Sequence, residues 1–162
     1  MSFRHDRCFR DCDVLKVSRK ADKTPIFLCR VLMKIFFYSA GRSACDNGCQ
    51  YSTCSQRCLM FLKNLESLKE ITVLPGGSHF NTPQSMNLRS GDLVILYAGN
   101  ERELEELVSI KDVFETFRII LIVGQERYVN QEQCHLLNPR YITSVARNGV
   151  GLNAVVGKMV GM

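Results

Sequence analysis

No stretch of this 162-residue chain reaches the ~18 consecutive apolar residues that a membrane-spanning helix needs. The apolar run near the N-terminus, Ile26–Leu32, is short, is interrupted by Cys29 and Arg30, and has charge on both sides. It does not make a secretory signal. Catalytic signatures are missing as well. The sequence holds no G-x-S-x-G, no H-E-x-x-H, no G-K-[ST] of a P-loop and no G-x-G-x-x-G of a dinucleotide site. Its 8 cysteines are too few for a disulfide scaffold. The expectation is a cytoplasmic protein, whose cysteines are thiols or metal ligands.

A basic domain face is also lacking, although the formal net charge is +5. Of 21 basic and 16 acidic residues, 8 and 4 lie in residues 1–32, which leaves 13 and 12 for the other 130. The surplus belongs to the N-terminal stretch. A nucleic-acid-binding domain needs its own cluster of Lys and Arg, so no nucleic-acid partner is expected.

What is present is alternation. Residues 1–32 show no sustained period and are expected to be a poorly ordered basic extension. Met33-Lys34 then leads straight into apolar Ile35-Phe36-Phe37-Tyr38. Met33 is therefore a candidate natural start, with the upstream stretch a misplaced start of translation.

Lys34–Ser39 reads as a buried strand and Ala40–Ser52 as a loop. Cys54, Cys58, Phe61, Leu62 and Leu65 share one face of a helix. Glu70–Leu74 is a second strand, ended by Pro75-Gly76-Gly77, and Ser78–Ser90 supports only a short or irregular helix. Asp92–Tyr97 is a third strand, apolar on both faces and so central. Asn100 makes an N-cap with Glu103 as its capping-box partner, and a helical stripe runs on to about Phe117. Ile119–Val123 is the fourth strand, Gly124–Asn130 a loop, Gln131–Leu137 a short helix and Arg140–Val145 the fifth strand. A last helix follows Asn148-Gly149, with Leu152, Val155, Val156, Met159 and Val160 on one side.

Strands alternating with helical segments imply right-handed crossovers. The expected fold is a three-layer α/β/α sandwich around a five-stranded parallel sheet of order 2-1-3-4-5. Ligands in such a sheet sit beyond the carboxyl ends of the strands, so the segments to examine are Ser39–Arg42, Tyr97–Asn100, Gly124–Gln125 and Ser144–Arg147.

From Met33 onward the organisation resembles the receiver domain of two-component response regulators. The lead-in Ser90-Gly91-Asp92 with strand Leu93–Leu96, and Arg140-Tyr141-Ile142, carry the likeness. The resemblance implies a signalling domain of flavodoxin-like fold, but the receiver's chemistry does not carry over. Where a receiver places two acidic residues to hold magnesium, this chain has Ser39 and Ala40. Tyr97 stands at the phosphate-accepting aspartate. Val123 replaces the hydroxyl residue that ends strand four, and Ser144 falls near the lysine after strand five. A phospho-aspartate needs a carboxylate nucleophile and a cation held by oxygen ligands. The implied molecule is a pseudo-receiver that is not phosphorylated in the standard way. It is expected to be no enzyme, to need no cofactor and to act by docking a protein partner. The likeness places that docking near the fourth helix and fifth strand, with Tyr128 and Tyr141 as contributors.

A second expectation rests on Cys45, Cys49, Cys54 and Cys58, spaced C-x3-C-x4-C-x3-C after the first strand. Four thiolates satisfy zinc or an iron–sulfur cluster, which makes a metal-binding or redox-sensing domain the alternative reading. Against it, the spacing is not the C-x2-4-C pairing of zinc sites, and Cys54 and Cys58 lie on the apolar stripe, where cysteine packs as a small hydrophobe. Gly41 and Gly48 read more simply as turn residues than as a phosphate cradle. Tyr51 and Tyr97 are the aromatics placed to stack on a flavin, although the Ser/Thr-rich loop of a flavodoxin is lacking. His5, His79 and His135 form no catalytic pair, and the charged run around Glu101, Glu103, Glu105 and Glu106 reads as a solvated helix face.

Overall fold

The computed structural model describes residues 33–41, 54–68, 70–75, 88–147 and 149–161. Five strands lie in one sheet: β1 (Ile35–Ser39), β2 (Ile71–Val73), β3 (Leu93–Ala98), β4 (Arg118–Val123) and β5 (Tyr141–Ser144). Among the described residues four helices accompany them: α1 (Ser55–Lys63), α2 (Glu101–Ser109), α3 (Glu132–Leu136) and α4 (Gly149–Val160). All strand pairs are parallel and the order is β2-β1-β3-β4-β5, as expected.

The apolar runs become strands because both of their faces are covered. Alternate residues of one run serve opposite layers. Ile35 and Phe37 of β1, Leu93, Ile95 and Tyr97 of β3, and Ile120 and Ile122 of β4 pack with Cys58, Leu59 and Leu62 of α1 and with Leu152 and Val156 of α4. Their neighbours Phe36, Tyr38, Val94, Leu96, Ala98, Leu121 and Val123 pack on the other side with Leu104 and Leu107 of α2 and Cys134 of α3. This is a sheet between two helical layers. Every residue of β3 is buried, as befits the central strand.

The opposite, N-terminal edge of the sheet is tied by one buried carboxylate. Asp92 accepts from the Lys34 amide at 3.1 Å and from the Arg89 amide at 2.8 Å, which joins the starts of β1 and β3. Gly91 before it has φ of +90°, a turn conformation that a side chain would strain.

The helical stripe after Asn100 does not run unbroken to Phe117. α2 stops at Ser109, and a 3-10 turn over Lys111–Phe114 carries on, with Phe114 fully buried. The tighter turn rotates the chain so that Phe114 reaches Tyr38, ring to ring at 5.6 Å. The segment after β4 also holds local order, a 3-10 turn over Glu126–Tyr128. Among the described residues no helix is long and apolar enough to cross a membrane.

Candidate functional site

The candidate site is the carboxyl edge of the sheet, where Ser39, Ala98, Val123 and Ser144 end their strands. In the order found here the chain reverses direction between β1 and β3, and that crevice is where open parallel sheets take ligands.

At the crevice stands Glu103, from the first turn of α2. Its Oε2 accepts from the Gly99 amide at 2.7 Å and its Oε1 from the Asn100 side-chain amide at 3.0 Å. Asn100 in turn accepts from the Glu103 amide at 3.1 Å, which completes the capping box. The Glu103 carboxylate also lies against Gly41, where an added Cβ would come within 2.6 Å of it. Glu103 therefore does not belong to the solvated face with Glu101, Glu105 and Glu106. Its carboxylate turns toward the ends of β1 and β3.

Farther along the edge, Ser144 donates its hydroxyl to Glu126 Oε2 at 2.5 Å, and Arg147 Nε donates to Oε1 at 2.8 Å. A second guanidinium nitrogen of Arg147 contacts the same oxygen. The Ser144 bond first, and then Arg147, hold the Glu126 carboxyl below its ordinary range. Arg147 also borders a shallow dent between α1 and α4, too small for a ligand, shared with Cys58, Phe61, Ile122, Thr143 and Leu152. The carboxyl edge is thus not devoid of acidic groups. Two carboxylates reach it from loops and a helix start, and both are held by donors of this chain.

Tyr97 is fully buried in the α1 layer, stacked with Phe37 at 6.3 Å. Burial first, then Cys58, Glu103 and Cys54, raise the pKa of its phenol. A ring packed in this way offers no face to a flavin. Ser39 sits directly beside it in the parallel register. The Ser39 hydroxyl is buried and has no hydrogen-bond partner. Ala40 and Val123 are buried apolar residues of the α2 layer.

Of the four clustered cysteines, Cys45 and Cys49 lie outside the described residues, as do residues 1–32, Gly48, Tyr51 and His79. Cys54 is the N-cap residue of α1 and Cys58 lies one turn on, both buried. Burial, and then the neighbouring Cys54, push the Cys58 thiol up to about 12. Among the described residues no group of three or more His, Cys, Asp or Glu side chains gathers as a metal site. His135 is exposed while Cys134 is buried, its thiol donating to the Tyr128 carbonyl at 3.1 Å.

Two aromatics expected at a docking surface are placed otherwise. Tyr128 is buried, with Arg127 over its ring at 4.9 Å, and Tyr141 is half-buried with its hydroxyl near Gly151 of α4. Among the described residues the exposed large apolar side chains are Met60 and Phe61 on α1, Val73 on β2 and Leu136 on α3.

No protein-family model, curated protein or solved structure matches the chain.

Proposed function

We propose that residues 33–162 form a receiver-like interaction module that signals by docking a protein partner and does not pass phosphoryl groups. The observation that carries this reading is the burial of Tyr97. By the resemblance, Tyr97 occupies the position of the phosphate-accepting carboxylate, and it is packed away from solvent. Ser39 and Ala40, where magnesium ligands would stand, supply no charge. Glu103 is engaged by the Gly99 amide and the Asn100 side chain, and Glu126 by Ser144 and Arg147. Exposed Leu136 on α3, the helix that leads into β5, offers an apolar contact to a partner.

The test is incubation of the full chain with acetyl phosphate and magnesium, followed by intact-mass analysis. No stoichiometric gain of a phosphoryl group is expected, and Mg-dependent labelling on a carboxylate would defeat the reading. The cysteine-cluster alternative is checked separately, by metal analysis of anaerobically purified protein. About one zinc per chain, or an iron–sulfur absorbance, lost in Cys49→Ser would favour that alternative.

A further inference from the structure

Residues 125–137 join β4 to β5 through the Glu126–Tyr128 turn and α3. The backbone hydrogen bonds of this segment are local. The Tyr128 amide donates to the Gln125 carbonyl at 3.1 Å, Gln131 to Tyr128 at 3.0 Å and Cys134 to Gln131 at 3.1 Å. Each of these bonds begins and ends inside the segment. Among the described residues, Glu126 makes its only hydrogen bonds to the rest of the chain, those accepted from Ser144 and Arg147. Beneath, Tyr128, Cys134 and Leu137 are buried in the core on the α2 side.

The two ends of the segment are suited to rotation. Gly124 precedes it, and Asn138 follows with φ of 48°, a left-handed conformation that asparagine accepts more readily than most residues. The segment is also not fully satisfied when packed. The side-chain amide oxygens of Gln131 and Gln133, at the start of α3, are buried without a hydrogen-bond partner. Such oxygens are uncommon and cost stability that contact with water would return. Two opposing contributions therefore meet in one short unit. Burial of Tyr128 and the bonds of Glu126 hold it down, and the two unmatched oxygens favour its release.

We propose that residues 125–137 open and close as one lid about Gly124 and Asn138, and that Glu126 is the latch that keeps it shut through Ser144 and Arg147. Opening breaks the Glu126 bonds, exposes Tyr128 and lets water reach the oxygens of Gln131 and Gln133. α3 moves with the lid, so the latch at the carboxyl edge sets how Leu136 is presented to a partner. That consequence for docking rests on the receiver-like reading given above. The latch itself does not, and its test follows the lid without a partner or a phosphoryl donor.

Hydrogen–deuterium exchange of the full chain at pH 7, resolved by peptide, measures lid opening. Three variants are compared with wild type. Ser144→Ala and Arg147→Gln each remove a donor to Glu126, and Arg147 is exposed, so its replacement leaves the core untouched. In both, amides of residues 125–137 should exchange roughly three- to tenfold faster, while those of α2 and β4 keep their rates. Gln133→Met keeps the length of the side chain and removes the unmatched oxygen. Its lid should exchange roughly two- to fivefold more slowly, a change that general damage to the fold would not produce. Unchanged lid exchange in Arg147→Gln, an equal acceleration across α2 and β4, or a Gln133→Met lid no slower than wild type would overturn the proposal.

Discussion

Ser144 and Glu126 lie 18 residues apart, yet a 2.5 Å hydrogen bond joins the end of β5 to the loop after β4. With Arg147 it closes one side of the carboxyl edge. Its strength depends on the charge of the Glu126 carboxyl, which is held below the ordinary range. A lowered native pKa stabilises the fold above the unfolded value of about 4.3, and the gain disappears as pH falls through the native value. Wild type should therefore exceed Glu126→Gln in urea midpoint at pH 7, and the gap should shrink steadily below about pH 4. Urea titrations of both proteins across pH 7 to 3 check this.

The two glycines at the edge should differ in their tolerance of a methyl group. A Cβ on Gly124 would stand 2.4 Å from the Gly99 carbonyl oxygen, a backbone atom that cannot step aside. Gly124→Ala is expected to cost about 1–3 kcal/mol by overpacking. At Gly41 the obstacle is the end of the Glu103 side chain, which can swing away at the loss of its bond to Gly99. Gly41→Ala should cost less, about 1 kcal/mol. Thermal or chemical denaturation of the pair ranks them.

The capping box of α2 gives a coupled pair. Asn100→Ala removes the side-chain acceptor of the Glu103 amide and should cost about 1 kcal/mol. Glu103→Ala removes the reciprocal bonds to Gly99 and Asn100. Because the two side chains act on each other, the double variant should lose less than the sum, by about 0.5 kcal/mol or more. A double-mutant cycle measures the difference.

Buried thiols should be slow to react. Cys58 is raised to about 12 and Cys134 is also raised by burial, so neither holds a useful thiolate fraction at pH 8. Site-resolved alkylation by mass spectrometry should show both protected in the native chain and modified promptly in 6 M guanidinium. Rapid native alkylation of Cys58 would contradict its placement under α1.

Much of the fold was legible because the strands are uninterrupted apolar runs. Leu93–Leu96 and Ile119–Val123 have no other way to satisfy both faces than burial in a covered parallel sheet. Asn100 and Glu103 declared the start of α2 by type and spacing alone. The site was less legible, for physical reasons. Glu103 sits in a run of like residues, and only the backbone geometry at Gly41 and Gly99 turns it inward. Tyr128 is a lone ring in a polar loop, where no period signals burial. The bond between Glu126 and Ser144 joins the turn after β4 to the end of β5, 18 residues on, and no local pattern encodes it. That Ser39 is unmatched is a property of its neighbours in space, so its type alone could not announce it.

The position of β1 inside the sheet sets a condition on synthesis. β1 pairs with β3 on one side and β2 on the other, so its greasy Ile35–Tyr38 core emerges from the ribosome before either neighbour exists. Nearly sixty further residues must be made before β3 is complete at Ala98. Until β2 is made the strand presents two unpaired backbone edges, and until β3 is made it keeps one, a template for the same strand of another nascent chain. Slowing translation before Ala98 should therefore lower the soluble yield more than slowing it after Ser144, when every strand of the sheet has been made.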